Sequence, residues 1–339
     1  MNSKGSILVS VIWMLIMLTI FSLAVSHAAS QELQFANSIK NRTLGRALAR
    51  AGVERALYEI QNDKLEGYDS YDQNWGSNED AFKDRPLGQG FFTVNCDGDP
   101  ESKGSSSYGA CDESARVNIN TANEATLKNL YLALLPKVEE ESEKFATAFA
   151  QCVIDWRDVD DQMQTSGAED NEYKSLPDPY EPRNGPFESV EELMMVKGVD
   201  RALFDKMKSY ITVYSEGPVN FNTAPYTVLR ALGLGQDLAK KVIEYRQGQD
   251  KIIGTEDDQF FTDSSAITSG LSAAGSFSGE EFEQISNAVS AGLVGVKSDT
   301  YRIHSFGRLN KDEKSQAGEV VSCVVKRDGT FLYWKEGEN

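Results

Sequence analysis

Residues 7–25, Ile-Leu-Val-Ser-Val-Ile-Trp-Met-Leu-Ile-Met-Leu-Thr-Ile-Phe-Ser-Leu-Ala-Val, constrain this chain more than any other stretch, because no formal charge falls between Lys4 and Glu32. At about 1.5 Å rise per residue a helix over them reaches roughly 28 Å, close to the thickness of a bilayer's hydrocarbon core. The segment can span a membrane. Lys4 is the one charge ahead of it and favours a cytoplasmic amino end.

Helical character continues beyond the apolar run. Residues 31–61 contain no proline and are rich in helix formers. At 3.6-residue spacing Phe35, Ile39, Val53, Leu57 and Ile60 share one side, with Leu33, Leu44 and Leu48 opposite. A single helix over residues 6–61 would measure roughly 80 Å, half in lipid and half above it.

Three fates compete for this amino end. Ser26-His27-Ala28 before Ala29 allows a cleaved secretory signal, although the apolar core of such signals spans about 7–15 residues. A plain signal anchor is the second. For the third, a short basic leader ending in Gly5, with Ser6 opening a half-apolar helix, resembles the start of type IV pilins and type II secretion pseudopilins. The resemblance implies a leader of residues 1–5, cut after Gly5 by a prepilin peptidase, methylation of the new terminus at Ser6, and inner-membrane lipid around residues 7–26. Most such proteins carry Glu at the fifth mature position, where this chain has Ser10. A glutamate in lipid is costly unless it meets a charge such as a neighbour's terminal ammonium. A subunit without it suits a special place such as a filament tip, which is what resemblance to the K-type minor pseudopilin also implies.

Thirty-four basic against fifty-two acidic residues give a net charge of -18, which argues against nucleic acid or an anionic lipid surface as the main partner. Acid clusters of this kind suit hydrated divalent cations. The four cysteines show no CxxC or Cys/His metal spacing. Cys96 and Cys111 flank a Gly/Ser-rich loop; they are a disulfide candidate if the body is periplasmic, and buried free thiols otherwise.

Residues 62–87 are polar and read as irregular, 90–96 read as a strand, and 97–114 as a loop. Matching strands come only at the far end: 301–306, the β-branched run 319–326, and 330–334 after the turn Arg327-Asp328-Gly329. One antiparallel sheet packed on the helix is expected, from residues 62–115 and 300–339, with residues 116–299 inserted into it.

The insertion contains an internal repeat, about 117–215 and 219–299. Val117-Asn-Ile-Asn-Thr-Ala122 recurs as Val219-Asn-Phe-Asn-Thr-Ala224, Val153-Ile-Asp-Trp-Arg157 as Val242-Ile-Glu-Tyr-Arg246, and Gly167-Ala-Glu-Asp-Asn-Glu-Tyr173 as Gly254-Thr-Glu-Asp-Asp-Gln-Phe260. In each copy Asn-Thr-Ala should cap a helix, a second helix should end in the aromatic–Arg pair, and an acid-rich loop follows. In the first loop Asp155, Asp158, Asp160 and Asp161 precede Glu169 and Asp170, with Asp178 and Asn184 in a Pro-rich run. In the second, Asp250 precedes Glu256, Asp257 and Asp258. Calcium takes six to eight oxygens at about 2.3–2.6 Å, which a flexible carboxylate loop can supply. Recurrence on one scaffold, where like charges would repel, favours a metal over plain solvated acids, and no EF-hand pattern is present.

The run Asp155-Trp156-Arg157-Asp158-x-Asp160, with Gly167-Ala168-Glu169-Asp170, Leu176-Pro177-x-Pro179-Tyr180, Pro186-Phe187-x-Ser189 and Val196-x-Gly198, resembles the general secretion pathway protein K family. That resemblance implies an α+β fold. A type IV pilin-like long N-terminal helix would pack on a small antiparallel sheet, with a large inserted helical domain holding two helix-hairpin-helix or SAM-like repeats. It implies structural calcium held by carboxylates such as Asp158, Asp160, Glu169 and Asp170. It also implies a non-enzymatic minor pseudopilin, inner-membrane anchored and periplasmic, that joins the I and J minor pseudopilins at the tip of a pseudopilus.

The rival reading draws on the same repeat, since Leu229-Arg-Ala-Leu-Gly233-Leu-Gly235 also resembles the helix-hairpin-helix modules of DNA-binding and DNA-uptake proteins. Against it, Leu135-Pro136 stands where the first copy needs a Gly-x-Gly hairpin, and residues 117–300 hold 16 basic and 31 acidic side chains, a balance of -15. His304 has no catalytic companions in the sequence, and Trp156 and Tyr245 read as helix-packing groups.

Overall fold

The computed structural model describes residues 3–63, 67–96, 107–274, 277–309 and 318–337, with side chains from residue 7 onward except at 273 and 274. In chain order the elements are α1 (Ser3–Asn62), α2 (Glu79–Phe82), β1 (Arg85–Leu87), β2 (Gly90–Asn95), β3 (Cys111–Asp112), β4 (Val117–Asn118), α3 (Glu124–Ala133), α4 (Glu140–Arg157), α5 (Asp170–Lys174) and α6 (Arg201–Met207). There follow β5 (Ile211–Thr212), β6 (Val219–Asn220), α7 (Tyr226–Ala231), α8 (Gln236–Arg246), α9 (Ile267–Ala274), α10 (Gly279–Ser290), β7 (Val294–Gly295), β8 (Thr300–Arg308), β9 (Glu319–Lys326) and β10 (Phe331–Glu336).

α1 is one unbroken helix whose side chains are exposed from residue 7 to 43. Above that, Leu48, Ala49, Val53, Ala56 and Ile60 are buried at helical spacing under an antiparallel sheet ordered β1-β2-β8-β9-β10. Contact between helix and sheet is nearly backbone to backbone: a Cβ on Gly307 would lie 1.9 Å from Gly45 O, and one on Gly52 would lie 2.1 Å from Ser305 Oγ. Arg42 and Arg46 bracket Glu319 at 2.9 and 2.8 Å, and Arg50 holds Glu336 at 2.7 Å, so both strands at the open end of the β9–β10 hairpin are tied to the helix. Phe35 and Ile39, which spacing groups with Val53, are exposed because the sheet's lower rim stops at Gly45 and Leu48. Residues 78–87 are less irregular than their polarity suggests: Asn78 Oδ1 accepts from Ala81 N at 2.9 Å and caps α2, and β1 pairs with β2 as a short edge strand blunted by Pro86.

The inserted residues, joined by Tyr68 from the segment after α1, build a second core distinct from that of α1 and the sheet. Each repeat opens with a two-residue parallel ladder, β4 with β5 and β6 with β7. The Asn-Thr-Ala motifs do not cap helices as spacing suggests. Asn123 caps α3, accepting from Thr126 N, and α7 starts after Pro225 without a side-chain cap. Instead the second asparagine of each motif clasps a distant strand-like segment on both sides. Asn120 accepts from Phe187 N (2.8 Å) and donates to Phe187 O (3.0 Å), and Asn222 does the same with Phe261 (2.8 and 3.0 Å). The arginine closing the second helix completes the unit: Arg157 donates to Ile119 O and Ala122 O, and Arg246 to Phe221 O and Ala224 O. Trp156 stacks on Phe187 and Tyr245 on Phe261, so the aromatic–Arg pair locks helix to motif in both copies.

Candidate metal centre

α4 ends at Arg157, and its last turn presents Asp155 inward and Asp158 at the exit. The loop that follows folds back over Asp155, whose Oδ2 accepts from Ala168 N at 2.9 Å and Gln164 N at 3.2 Å. Gly167 permits that closure, since a Cβ there would sit 1.8 Å from Asp155 Oδ2. Glu169, just before α5, is thereby brought back beside α4. Ligand oxygens of Asp158, Asp160 and Glu169 lie within 4.8 Å of one another.

Five oxygens here are buried without a hydrogen-bond donor: Asp155 Oδ1, Asp158 Oδ1, both carboxylate oxygens of Glu169, and Asn184 Oδ1. Asn184 is held alongside by its own N–H on Trp156 O at 3.1 Å. Unpaired buried acceptors are rare and costly, and so many in one place, all oxygens, match the donor set of a hard cation. Arg157, next to Asp158 in the chain, donates no hydrogen bond to them, because its guanidinium is spent on Ile119 and Ala122 carbonyls. Burial and the crowd of Asp155, Asp158, Asp161 and Asp160 accordingly push Glu169 up to about 7, and burial with Asp160 and Asp155 raises Asp158.

Asp170 stands outside this group, its Oδ2 held by Lys174 Nζ at 2.5 Å. The four acids of the second loop are not brought together either. Asp257 accepts from Gln249 N (2.6 Å), Asp250 N (3.1 Å) and Thr255 Oγ1 (2.9 Å), and Asp250 accepts from Ile252 N (2.8 Å), while Glu256 is exposed. These carboxylates fold the loop on its own amides. Asp258 alone keeps a buried oxygen without a donor, and burial pushes it up to about 6. Asp155 and Asn184 were visible among the loop's oxygens but fell outside the chosen ligands; what marks them is burial, which one sequence does not display.

The other sequence-derived positions are placed as follows. Cys96 and Cys111 are bonded, while Cys152 and Cys323 are buried thiols. Gly5 and Ser6 lie in the first turns of α1, with their side chains outside those described. The Gly233–Gly235 hairpin is not free for a phosphate: Gly235 N donates to Gln284 Oε1 at 2.7 Å, and Lys241 is held by Glu281 at 2.7 Å.

A family model described as "Type II secretion system (T2SS), protein K" matches residues 115–216. Relatives named type II secretion system protein K include one from Pectobacterium carotovorum subsp. carotovorum, 30% identical over 31% of this chain and 34% of its own length. Another, from Aeromonas hydrophila, is 34% identical over 34% of this chain and 38% of its own length. The matches thus span about a third of these relatives. In fold, the chain is similar to a chain of the GspK-GspI-GspJ complex from the enterotoxigenic Escherichia coli Type 2 Secretion System, with TM-score 0.57 and 17% identity, over 92% of this chain and 99% of that one.

Proposed function

We propose that this chain, a member of the type II secretion system protein K family, is a minor pseudopilin: a non-catalytic subunit anchored in the inner membrane by α1, with its globular part in the periplasm. It forms the tip or initiation complex of a pseudopilus with the I and J minor pseudopilins, as the composition of the similar complex suggests. The observation that carries this reading is the continuity of α1 from a lipid-length segment into the core of the sheet, with a bulky two-repeat domain inserted between β3 and β8. Subunits stacked along a shaft leave little room above one another, whereas the last subunit has open space.

The first loop is further proposed to hold a structural calcium ion through Asp155, Asp158, Asp160 and Glu169, with Asn184 beside them. The ion would supply the positive charge that this group of oxygens otherwise lacks. The chain's own residues do the remainder, Gly167 and Ala168 closing the loop over Asp155 and Asn184 tying the Pro-rich run to the end of α4.

Co-expression with the I and J pseudopilins and the prepilin peptidase of the same organism tests the assembly reading. The chain should purify with both partners, and its intact mass should correspond to a start at N-methylated Ser6. A soluble product cut near Ala28, or a processed chain that binds neither partner, would overturn it.

A further inference from the structure

The chain enters and leaves the inserted domain at residues 115–116 and 299–300, and the contact beside these crossings is polar and buried. Asp112 on β3 is its hub. Its Oδ2 accepts from Asn220 Nδ2 at 3.0 Å, from Ser298 Oγ at 2.6 Å and from Thr223 Oγ1, and its Oδ1 accepts from Ser114 N at 2.8 Å. Asn220 and Thr223 open the second repeat, and Ser298 lies on its exit, so one carboxylate holds both ends of that repeat to the sheet.

The groups facing Asp112 are all otherwise engaged. From the segment after α1, Asp69 sits across Ser298, whose N–H donates to it at 2.7 Å. Arg327, beyond β9, is spent on Asp69 and on Tyr301 of β8. Arg302 of β8 makes two bonds to Glu113, at 2.8 and 2.6 Å, and Arg116 lies 3.6 Å from the same carboxylate. Asp299 accepts from Ser114 Oγ at 2.9 Å. Asp112, 2% exposed, is therefore bonded to neutral donors alone, with a second carboxylate one residue away. The adjacent Glu113 has the opposite setting: burial would raise it, but Arg116 and Arg302 hold it down to about 2, and it grips Thr212 of the first repeat at 2.8 Å.

We infer that the second repeat is seated on the pilin-like body through a proton-linked joint at Asp112, whose closed form takes up a proton and whose opening releases it. The sign follows from the burial. Closed, Asp112 is pushed up to about 6 by burial, against the hydrogen bonds of Ser298 and Thr223, with Asp69 adding to the rise. Opened to water it returns to about 3.9. Acid favours the closed joint; raising the pH from about 3.9 to about 6 loosens it progressively, and above about 6 the loosening is complete. The added proton finds an acceptor in the lone pairs of the Ser298 or Thr223 hydroxyl, so closure in acid strands no partner. Glu113, ionised throughout this range, keeps the first repeat attached at either pH.

Hydrogen exchange of the full-length chain in detergent, corrected for intrinsic rates, tests this at pH 5 and pH 7.5. Residues 219–224 and 294–298 should open about tenfold less at pH 5, from the separation of the two carboxylate values. α4 and the β8–β9 pairs should not change. Asp112→Asn should abolish the difference, and Thr223→Val, which removes a donor to the ionised form, should move the midpoint upward. Equal protection of the wild type at both values would overturn the inference even if Asp112→Asn does not fold. So would a pH difference that survives Asp112→Asn, or a midpoint that Thr223→Val leaves in place.

Discussion

Glu169 is the residue most at odds with its surroundings: 4% exposed, without a donor on either carboxylate oxygen, and facing other acids. Without metal, its raised pKa means that the folded chain prefers the proton. This group then costs stability as pH climbs from its unfolded value near 4.3 to about 7. With calcium the sign reverses, because the ion and the proton compete for the same oxygens. At pH 7.5 a chelator should lower the melting temperature and calcium should restore it, with the increment shrinking toward pH 6. Glu169→Gln should lose the calcium increment yet, in chelator, match or exceed the wild type by on the order of 1 kcal/mol. An unchanged melting curve and no calcium by elemental analysis would leave the loop as plain acid. The loop itself is legible from its recurring Gly-x-Glu-Asp and Gly-x-Glu-Asp-Asp blocks. Which oxygens face inward is not: Asp170 and Asp257 are acids like their neighbours, but one meets Lys174 and the other caps backbone amides.

At the scale of elements, the internal repeat is plain in the sequence, while the job of its parts emerges only from their partners. The recurring arginines read only as the ends of helices. In the structure Arg246 is buried, with two carbonyls, Phe221 O at 3.0 Å and Ala224 O at 2.7 Å, depending on it. Removing it orphans both, at about 1–3 kcal/mol each in a buried site. Arg246→Met should therefore destabilise the inserted domain by about 2–4 kcal/mol, and Arg246→Lys by less, since one ammonium reaches one carbonyl well. Urea unfolding of the two variants checks the order; a loss below about 1 kcal/mol for Arg246→Met would show that water replaces the guanidinium. α1 was legible in existence and length from its unbroken helix formers. The period does not state where the sheet stops, which leaves Phe35 and Ile39 exposed, and it sets Leu48 opposite Val53 although both are buried under the sheet. The strands at 90–95, 300–308 and 319–326 were readable from alternation and β-branching, whereas β3, β4 and β5, two residues each, are too short to carry a period.

For the whole molecule, the decisive fact is that, among the described residues, the body's core, from Ala49 and Val53 through Phe92 and Val94 to Tyr301, Ile303 and Val325, contains no residue of the insertion, while the body lends the insertion's core one side chain, Tyr68, stacked on Phe260. The two ends of the insertion meet, with Ser114 Oγ and Asp299 Oδ1 2.9 Å apart, so a short linker can replace residues 116–299 without straining β3 or β8. What such a chain loses is the joint: Asp69, Asp112 and Glu113 surrender their partners in the repeats and gain water instead, a milder change than leaving them buried. The shortened chain should still insert through α1, form the Cys96–Cys111 bond, and protect β8 and β9 from protease as the full chain does. A stub that fails to reach the membrane, or reaches it with both cysteines reducible and the sheet digested, would mean that the inserted domain helps fold the body, and that the two cores are one cooperative unit.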